Sequence, residues 1–369
     1  MKKIIALVLT SVLALSVFAG CANNDKTPET PETPGTEEPN EEPGEEEPGE
    51  EEPAVEAGAI TKMGLGIITN IGKSKDLEEG KATAQVDSVI VAAGFDADGK
   101  IVSVTIDTAQ DRVVFEGEME LTTDTSVAGK TKLEKGDEYG MKGAAAITGL
   151  EWYEQIGHLT EWMIGKTVAE VVAMPTYEKD PTHLFVPDVE ELKTTVSITI
   201  EGYLAALEEA WATAVDVDGA EKVGLGVVTS LGKSKSQSED AGAMAQVDST
   251  IVATALKADG TIAGTIIDTA QTKINYDMDG VVTNDKSATV KSKVELGEEY
   301  GMKKASAIGK EWDEQALAFA AFMTGKTVAE VTGMELADDV PTAEDLTSSV
   351  TIKVGGYLAA LEKAANNAK

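Results

Sequence analysis

The sequence predicts an α+β protein: two tandem homologous domains, each an antiparallel sheet packed with helices, after a signal peptide and a disordered acidic linker. Three observations carry this reading. Most of the distinctive motifs beyond residue 58 occur twice. Each copy holds a Val/Ile-rich hairpin followed by apolar residues at helical spacing. Residues 1–58 are an apolar leader and then a run dominated by Glu and Pro.

Residues 1–20 have the form of an export signal. Lys2 and Lys3 precede an apolar run over 4–18, which ends at Ala19, Gly20 and Cys21. A positive start, a short apolar stretch and small residues at the cleavage point make a secretory signal. A run of about 15 residues is short of the ~20 that a spanning helix needs. Cys21 is the one cysteine of the chain, and its setting resembles the lipobox of bacterial lipoproteins, with Phe18 where Leu is usual. That resemblance implies lipidation at Cys21 and a membrane partner reached through the lipid, on the extracytoplasmic face. An uncleaved anchor helix or a chance cysteine are the other readings.

Residues 21–58 form a tether. Glu45-Glu46-Glu47-Pro48-Gly49-Glu50 is typical of it. Such a stretch buries too little apolar surface to offset the entropy of ordering, and Pro with like charge extends it. It reads as a spacer or as a solubilising tail.

The remainder is one domain written twice, 59–215 and 216–369. Gly64-Leu65-Gly66 returns as Gly224-Leu225-Gly226, and Gly72-Lys73-Ser74-Lys75 as Gly232-Lys233-Ser234-Lys235. Ala84-Gln85-Val86-Asp87-Ser88 returns as Ala245-Gln246-Val247-Asp248-Ser249, and Asp107-Thr108-Ala109-Gln110 as Asp268-Thr269-Ala270-Gln271. Tyr139-Gly140-Met141-Lys142 returns as Tyr300-Gly301-Met302-Lys303. A period of about 155 residues is far beyond that of a solenoid, so each copy is a globular unit, and the two join near Asp216-Val217-Asp218-Gly219.

Within a copy, residues 86–94 and 101–106 alternate partly as strands around Asp96-Ala97-Asp98-Gly99, whose Asp-Gly pair favours a hairpin turn. The same four residues resemble the start of a calcium loop but lack Gly at its sixth position and Glu at its twelfth. Trp152, Ile156, Leu159 and Met163 share one helical face, as do Trp312, Ala316, Phe319 and Met323. Gly165 is placed to end that helix. Thr167-Val168-Ala169-Glu170 is a capping box for the next one. A β-like run over 195–200 and a helix from about Tyr203 close the copy.

The net charge of −34 excludes nucleic acid as a partner, since phosphate binding requires a basic surface. One Cys and two His exclude Cys-rich zinc sites and His-based metal sites. Gly64-x-Gly66 lacks the third glycine of a dinucleotide fingerprint. No Gly-x-Ser-x-Gly elbow is present, so nothing marks a catalytic set. Trp152 and Trp312 would stack on a ligand ring or simply pack in a core. Tyr139 and Tyr300 would line a cleft or belong to a tight turn.

The end of each copy is similar to that of the bacterial FMN-binding domain family. Asp345-Leu346-Thr347-Ser348-Ser349-Val350-Thr351-Ile352-Lys353 leads into Tyr357, Leu358, Ala359, Ala360 and Leu361. The family ends in Asp-x-x-Ser/Thr-Gly-Ala-Ser/Thr-x-Ser/Thr and a helix of small and apolar residues. In that family a Thr or Ser is esterified to the FMN phosphate. The resemblance places Thr351 and, in the first copy, Ser197 at that position. Here Ser349-Val350 and Thr195-Val196 stand where the family has Gly-Ala, so a bulky Val adjoins the attachment point. Ser197 and Thr351 also alternate with apolar residues, as solvent-facing strand positions do. The resemblance implies a surface-anchored FMN-binding lipoprotein that carries electrons to a redox partner protein, with flavin covalent or noncovalent. The alternative is a non-catalytic surface lipoprotein that captures a small ligand or contacts a partner.

Overall fold

A computed structural model of the chain describes residues 59–369 apart from 144, 146, 147 and 182. The signal peptide, Cys21 and the tether lie outside the described residues.

Antiparallel sheets and helices make an α+β fold. The first copy supplies β1 (Ile60–Asn70), β2 (Lys75–Glu78), β3 (Lys81–Phe95), β4 (Ile101–Glu116) and β5 (Glu120–Leu121). There follow α1 (Lys132–Lys135), α2 (Trp152–Met163), α3 (Val168–Val172), the short β6 (Thr176–Tyr177) and β7 (Val186–Pro187), and α4 (Glu201–Ala212). The second copy runs through β8 (Val215–Ala220), β9 (Lys222–Ser230), β10 (Met244–Leu256), β11 (Ile262–Asn275) and α5 (Lys293–Leu296). It continues with α6 (Trp312–Met323), α7 (Val328–Thr332), β12 (Leu336–Ala337), β13 (Val340–Pro341) and α8 (Gly355–Asn366).

The strands of the first sheet run β5-β4-β3-β1-β8, with β2 beside β3, and those of the second run β11-β10-β9. Both central hairpins form as the sequence predicts. Asp96 closes the first turn by accepting from the N–H groups of Asp98 and Lys100, and Gly99 takes a φ of 76° that the turn requires. The strands are longer than their apolar runs, because Gln85, Asp87, Gln110 and Arg112 continue the ladder as polar residues.

The two sheets pack face to face. Met63, Leu65 and Ile67 of β1 and Ile90 and Ala92 of β3 meet Val223, Leu225 and Val227 of β9 and Ile251 and Ala253 of β10 in one core. The opposite face of each sheet carries that copy's helices. Val91, Phe95, Val104 and Ile106 pack there on Trp152, Ile156, Leu159 and Met163, the face read from the sequence. The layers are therefore helix, sheet, sheet, helix, and the described residues lie in one compact unit. The junction around Asp216 is a strand, β8, paired to β1 through Lys62↔Asp216 and Met63↔Val215.

The Gly-x-Gly repeat serves helix packing. A Cβ on Gly64 would stand 1.7 Å from the Ala210 carbonyl oxygen, and one on Gly66 1.8 Å from that of Ala206. Helix α4 thus lies directly on the β1 backbone, and α8 lies the same way on Gly224 and Gly226. Gly165, at φ 79°, follows the end of α2, and Thr167 and Glu170 form the expected capping box on α3.

One element differs from expectation. Residues 195–200 are not a strand. Val196, Ile198 and Ile200 are buried in the helix-side core, so their alternation reflects packing without a ladder. The Ser197 N–H donates to Gln155 Oε1 of α2 at 2.9 Å, a bond that replaces strand pairing. Ser197 is accordingly buried and does not face solvent.

Candidate functional site

The repeated motifs that are distant in sequence meet on the helix-bearing face of each sheet. Asp87 of β3 is the centre in the first copy. Its carboxylate pairs with Lys73 Nζ at 2.9 Å and accepts from Gln85 Nε2 at 2.9 and 3.0 Å and from Gln110 Nε2 at 2.9 Å. Arg112 Nε donates to Gln85 Oε1 at 2.8 Å. Burial alone would raise the Asp87 carboxyl. The bonds from Lys73, Gln85 and Gln110 outweigh it and hold Asp87 below the ordinary carboxylate range.

Lys132 stands over this array. Helix α1 is a single turn, capped by a Thr131–Glu134 box. Buried Asp107 fixes it to β4 by accepting from the Leu133 N–H at 3.1 Å. The Lys132 ammonium lies 5.0 Å from the Tyr139 ring centroid and 5.2 Å from that of Trp152, within cation–π range of both. Burial lowers it to about 8, and Asp87 only partly restores it. Trp152 Nε1 donates to Tyr203 Oη at 2.9 Å, which orients the indole. Burial pushes the Tyr203 hydroxyl up to about 12, so it stays a neutral partner.

The second copy repeats the arrangement. Asp248 takes Lys233 at 2.9 Å and Gln246 at 2.8 and 3.0 Å. Lys293 lies 4.8 Å from the Tyr300 ring and 5.0 Å from Trp312, and burial lowers it to about 8. Lys293 is only 9% exposed. Among the described residues, neither Lys132 nor Lys293 has an acceptor within hydrogen-bonding distance or an ion-pair partner. An ammonium withdrawn from water without an acceptor is costly; Lys293 is buried and Lys132 half-buried.

Four of the six expected ligand residues, Tyr139, Trp152, Tyr300 and Trp312, therefore lie in these clusters. Trp152 and Trp312 also open the apolar helix faces, so each is both core residue and site wall. The Tyr-Gly-Met-Lys motif divides its duties. Tyr139 faces Lys132, Gly140 makes a left-handed turn at φ 76°, and the N–H groups of Met141 and Lys142 donate to buried Glu151 at 2.7 and 2.9 Å. Ser197 and Thr351 lie elsewhere. The Thr351 N–H and Oγ1 donate to Gln315 Oε1 at 2.8 and 3.1 Å, and Ser197 is held likewise by Gln155. These hydroxyls fasten the segment before the last helix to α2 and α6.

Lys73, Gln85, Asp87, Gln110 and Lys132, with their counterparts, are the site residues that the sequence reading missed. Their signal was present: Gln85, Asp87 and Gln110 are polar residues repeated identically inside otherwise apolar strands, and Lys73 and Lys132 recur beside them in a turn and in α1. The charges of Lys73 and Arg112 act on the Tyr139 hydroxyl, with Lys132 over its ring, and those of Lys233 and Lys273 act on the Tyr300 hydroxyl, with Lys293 over its ring. The arrangement suits an anionic ligand with an aromatic part.

No protein-family model matches the chain, and no solved structure does. Chlorophenol reductase of Desulfitobacterium hafniense is 42% identical over 92 residues, which make up 22% of this chain and 28% of that protein. The chain thus spans under a third of the length of the curated relative it resembles.

Proposed function

We propose that the protein is an extracytoplasmic lipoprotein, anchored through Cys21, whose two homologous copies each bind a small anionic aromatic ligand. FMN is the ligand that the resemblance of the C-terminal segments names. The observation that supports binding most directly is the acceptor-less ammonium between two rings, Lys132 with Tyr139 and Trp152, repeated as Lys293 with Tyr300 and Trp312. An anionic or carbonyl oxygen of a flavin gives such an ammonium its missing acceptor, and the rings offer stacking surface. Bound flavin supplies reversible one- and two-electron chemistry. The chain's own residues bind it, orient it and keep Asp87 and Asp248 ionised beside it.

Noncovalent binding is the form these residues fit. Ser197 is buried and bonded to Gln155, and Val196 is buried beside it, so an ester there requires the segment to leave α2. The partial likeness to a protein named chlorophenol reductase agrees with a redox setting, with a partner protein as electron donor or acceptor. Titration with FMN, read by flavin fluorescence quenching and intact mass, tests the proposal. Saturable quenching with two equivalents per chain and an unchanged mass is expected. No quenching and no thermal shift would leave only the capture of some other small anion.

A further inference from the structure

The two clusters are not equivalent. Beside the first lies a cavity of about 290 Å³ lined by Gln110, Asp111, Arg112, Lys130 and Lys135. It adjoins the cluster directly. Gln110 also binds Asp87, Arg112 also binds Gln85, and the charges of Arg112 and Lys135 both act on the Tyr139 hydroxyl. Lys130 is engaged with Glu138 at 2.6 Å. Among the described residues, Arg112 and Lys135 form no ion pair, and Asp111, which feels the charge of Lys135, is the carboxylate of the lining that opposes them.

The second copy lacks the means to build this cavity. Thr272 stands for Asp111, Val290 for Gly129 and Leu296 for Lys135. Gly129 is the enabling residue, since a Cβ there would be 2.1 Å from Asp111 Oδ1 and 2.5 Å from Thr229 Oγ1. Val290 adds that bulk, and Leu296 removes a charge.

We propose that this cavity, held by Arg112 and Lys135, is an anion subsite that takes the phosphoryl or carboxylate tail of a ligand whose ring rests at Lys132, Tyr139 and Trp152. Its volume of about 290 Å³ is at the lower end of the ~300–1,000 Å³ of small-molecule sites, enough room for a phosphoryl or carboxylate tail. The first copy therefore discriminates between ligands with and without the anionic tail, and the second does not. Asp111 limits the affinity. Its carboxyl is pushed up to about 6 by burial, against the pull of Lys135, so near neutrality it still repels an incoming anion.

The inference rests on the binding reading above, and the test separates the two. In a Lys293→Met background, which leaves the first copy as the ligand site, FMN should bind about tenfold more tightly than riboflavin, as one added charge-assisted contact provides. Lys135→Leu, the residue of the second copy, should abolish that preference and leave riboflavin binding unchanged. Lys135→Gln must do the same without added apolar surface. Asp111→Asn should tighten FMN and not riboflavin. Equal affinities in the parent, or equal losses for both flavins in the Lys135 variants, would overturn the subsite. If neither flavin binds, the binding reading falls. The subsite is then decided by calorimetry with inorganic pyrophosphate: binding that Lys135→Leu removes upholds it, and no binding refutes it.

Discussion

Glu209→Gln should make the protein more resistant to unfolding above pH 7 and leave it unchanged near pH 4. Glu209 of α4 accepts from the Ile67 N–H at 3.1 Å at the seam between the two copies. Lys363 of α8 holds the matching place and donates to the Val227 carbonyl at 2.8 Å while pairing with Glu134. The seam is thus an ion pair on one side. On the other, Glu209 faces Glu295 and Asp268, two further carboxyls. Burial first, and then those two charges, raise Glu209 from 4.5 to about 7. A folded-state value above the unfolded one means that the folded protein holds a proton the unfolded chain has lost. Stability from this group is full below about pH 4.5 and is lost as pH rises through 7. The unscreened ceiling is about 3.4 kcal/mol, and water over a partly exposed carboxyl reduces it to roughly 1–2 kcal/mol. Gln keeps an oxygen for the Ile67 N–H and has no charge to lose. Urea unfolding of both proteins at pH 4, 5, 6, 7 and 8 reads the difference, since titrating groups that do not act on Glu209 cancel between them. Parallel pH profiles would refute the reasoning.

Lys132→Met and Lys293→Met should preserve the stability at pH 7 or raise it by up to ~1 kcal/mol, read as an unchanged or higher midpoint of thermal unfolding, while each removes one equivalent of FMN binding. A site lysine retained against stability is the pattern of a functional residue, and a midpoint drop of several degrees in both would count against it. Gly66→Ala should cost several kcal/mol or prevent folding, because its Cβ would lie 1.8 Å from the Ala206 carbonyl; circular dichroism melts decide this, and a near-neutral change would mean that α4 shifts freely. Residues 59–215 produced alone should aggregate or melt without a sharp transition, since Leu65, Ile67 and Ile90 lose their partners in β9 and β10; a sharp melt at the full-length midpoint would show that the shared core adds nothing. Cys21→Ala should shift the protein from the membrane fraction to the medium or leave it unprocessed, and unchanged partition of a processed chain would remove the lipid anchor.

The sequence by itself determined the duplication, the hairpins, the apolar helix faces and their caps, because each is a local pattern. A Trp152–Met163 stripe has one way to meet a sheet, and Asp96–Gly99 has few ways other than a turn. It did not reveal β1 and β9 as strands, since Gly64, Gly66, Gly224 and Gly226 dilute the β signal. Their reason is the approach of α4 and α8, which arrive from more than a hundred residues away. Nor did it distinguish an alternating run paired in a ladder from one at 195–200 whose apolar side packs in the core while Ser197 bonds Gln155. The candidate site was half visible. Tyr139 and Trp152 stood out as aromatic, whereas Lys73, Asp87, Gln110 and Lys132 read as ordinary surface polarity until two strands, the turn after β1 and one helical turn brought them together. Whether two copies stand apart or share a core depends on which sheet face is left uncovered by its own helices. Only the tertiary structure decided that, because the residues of each inner face are apolar for a partner that the local sequence does not name.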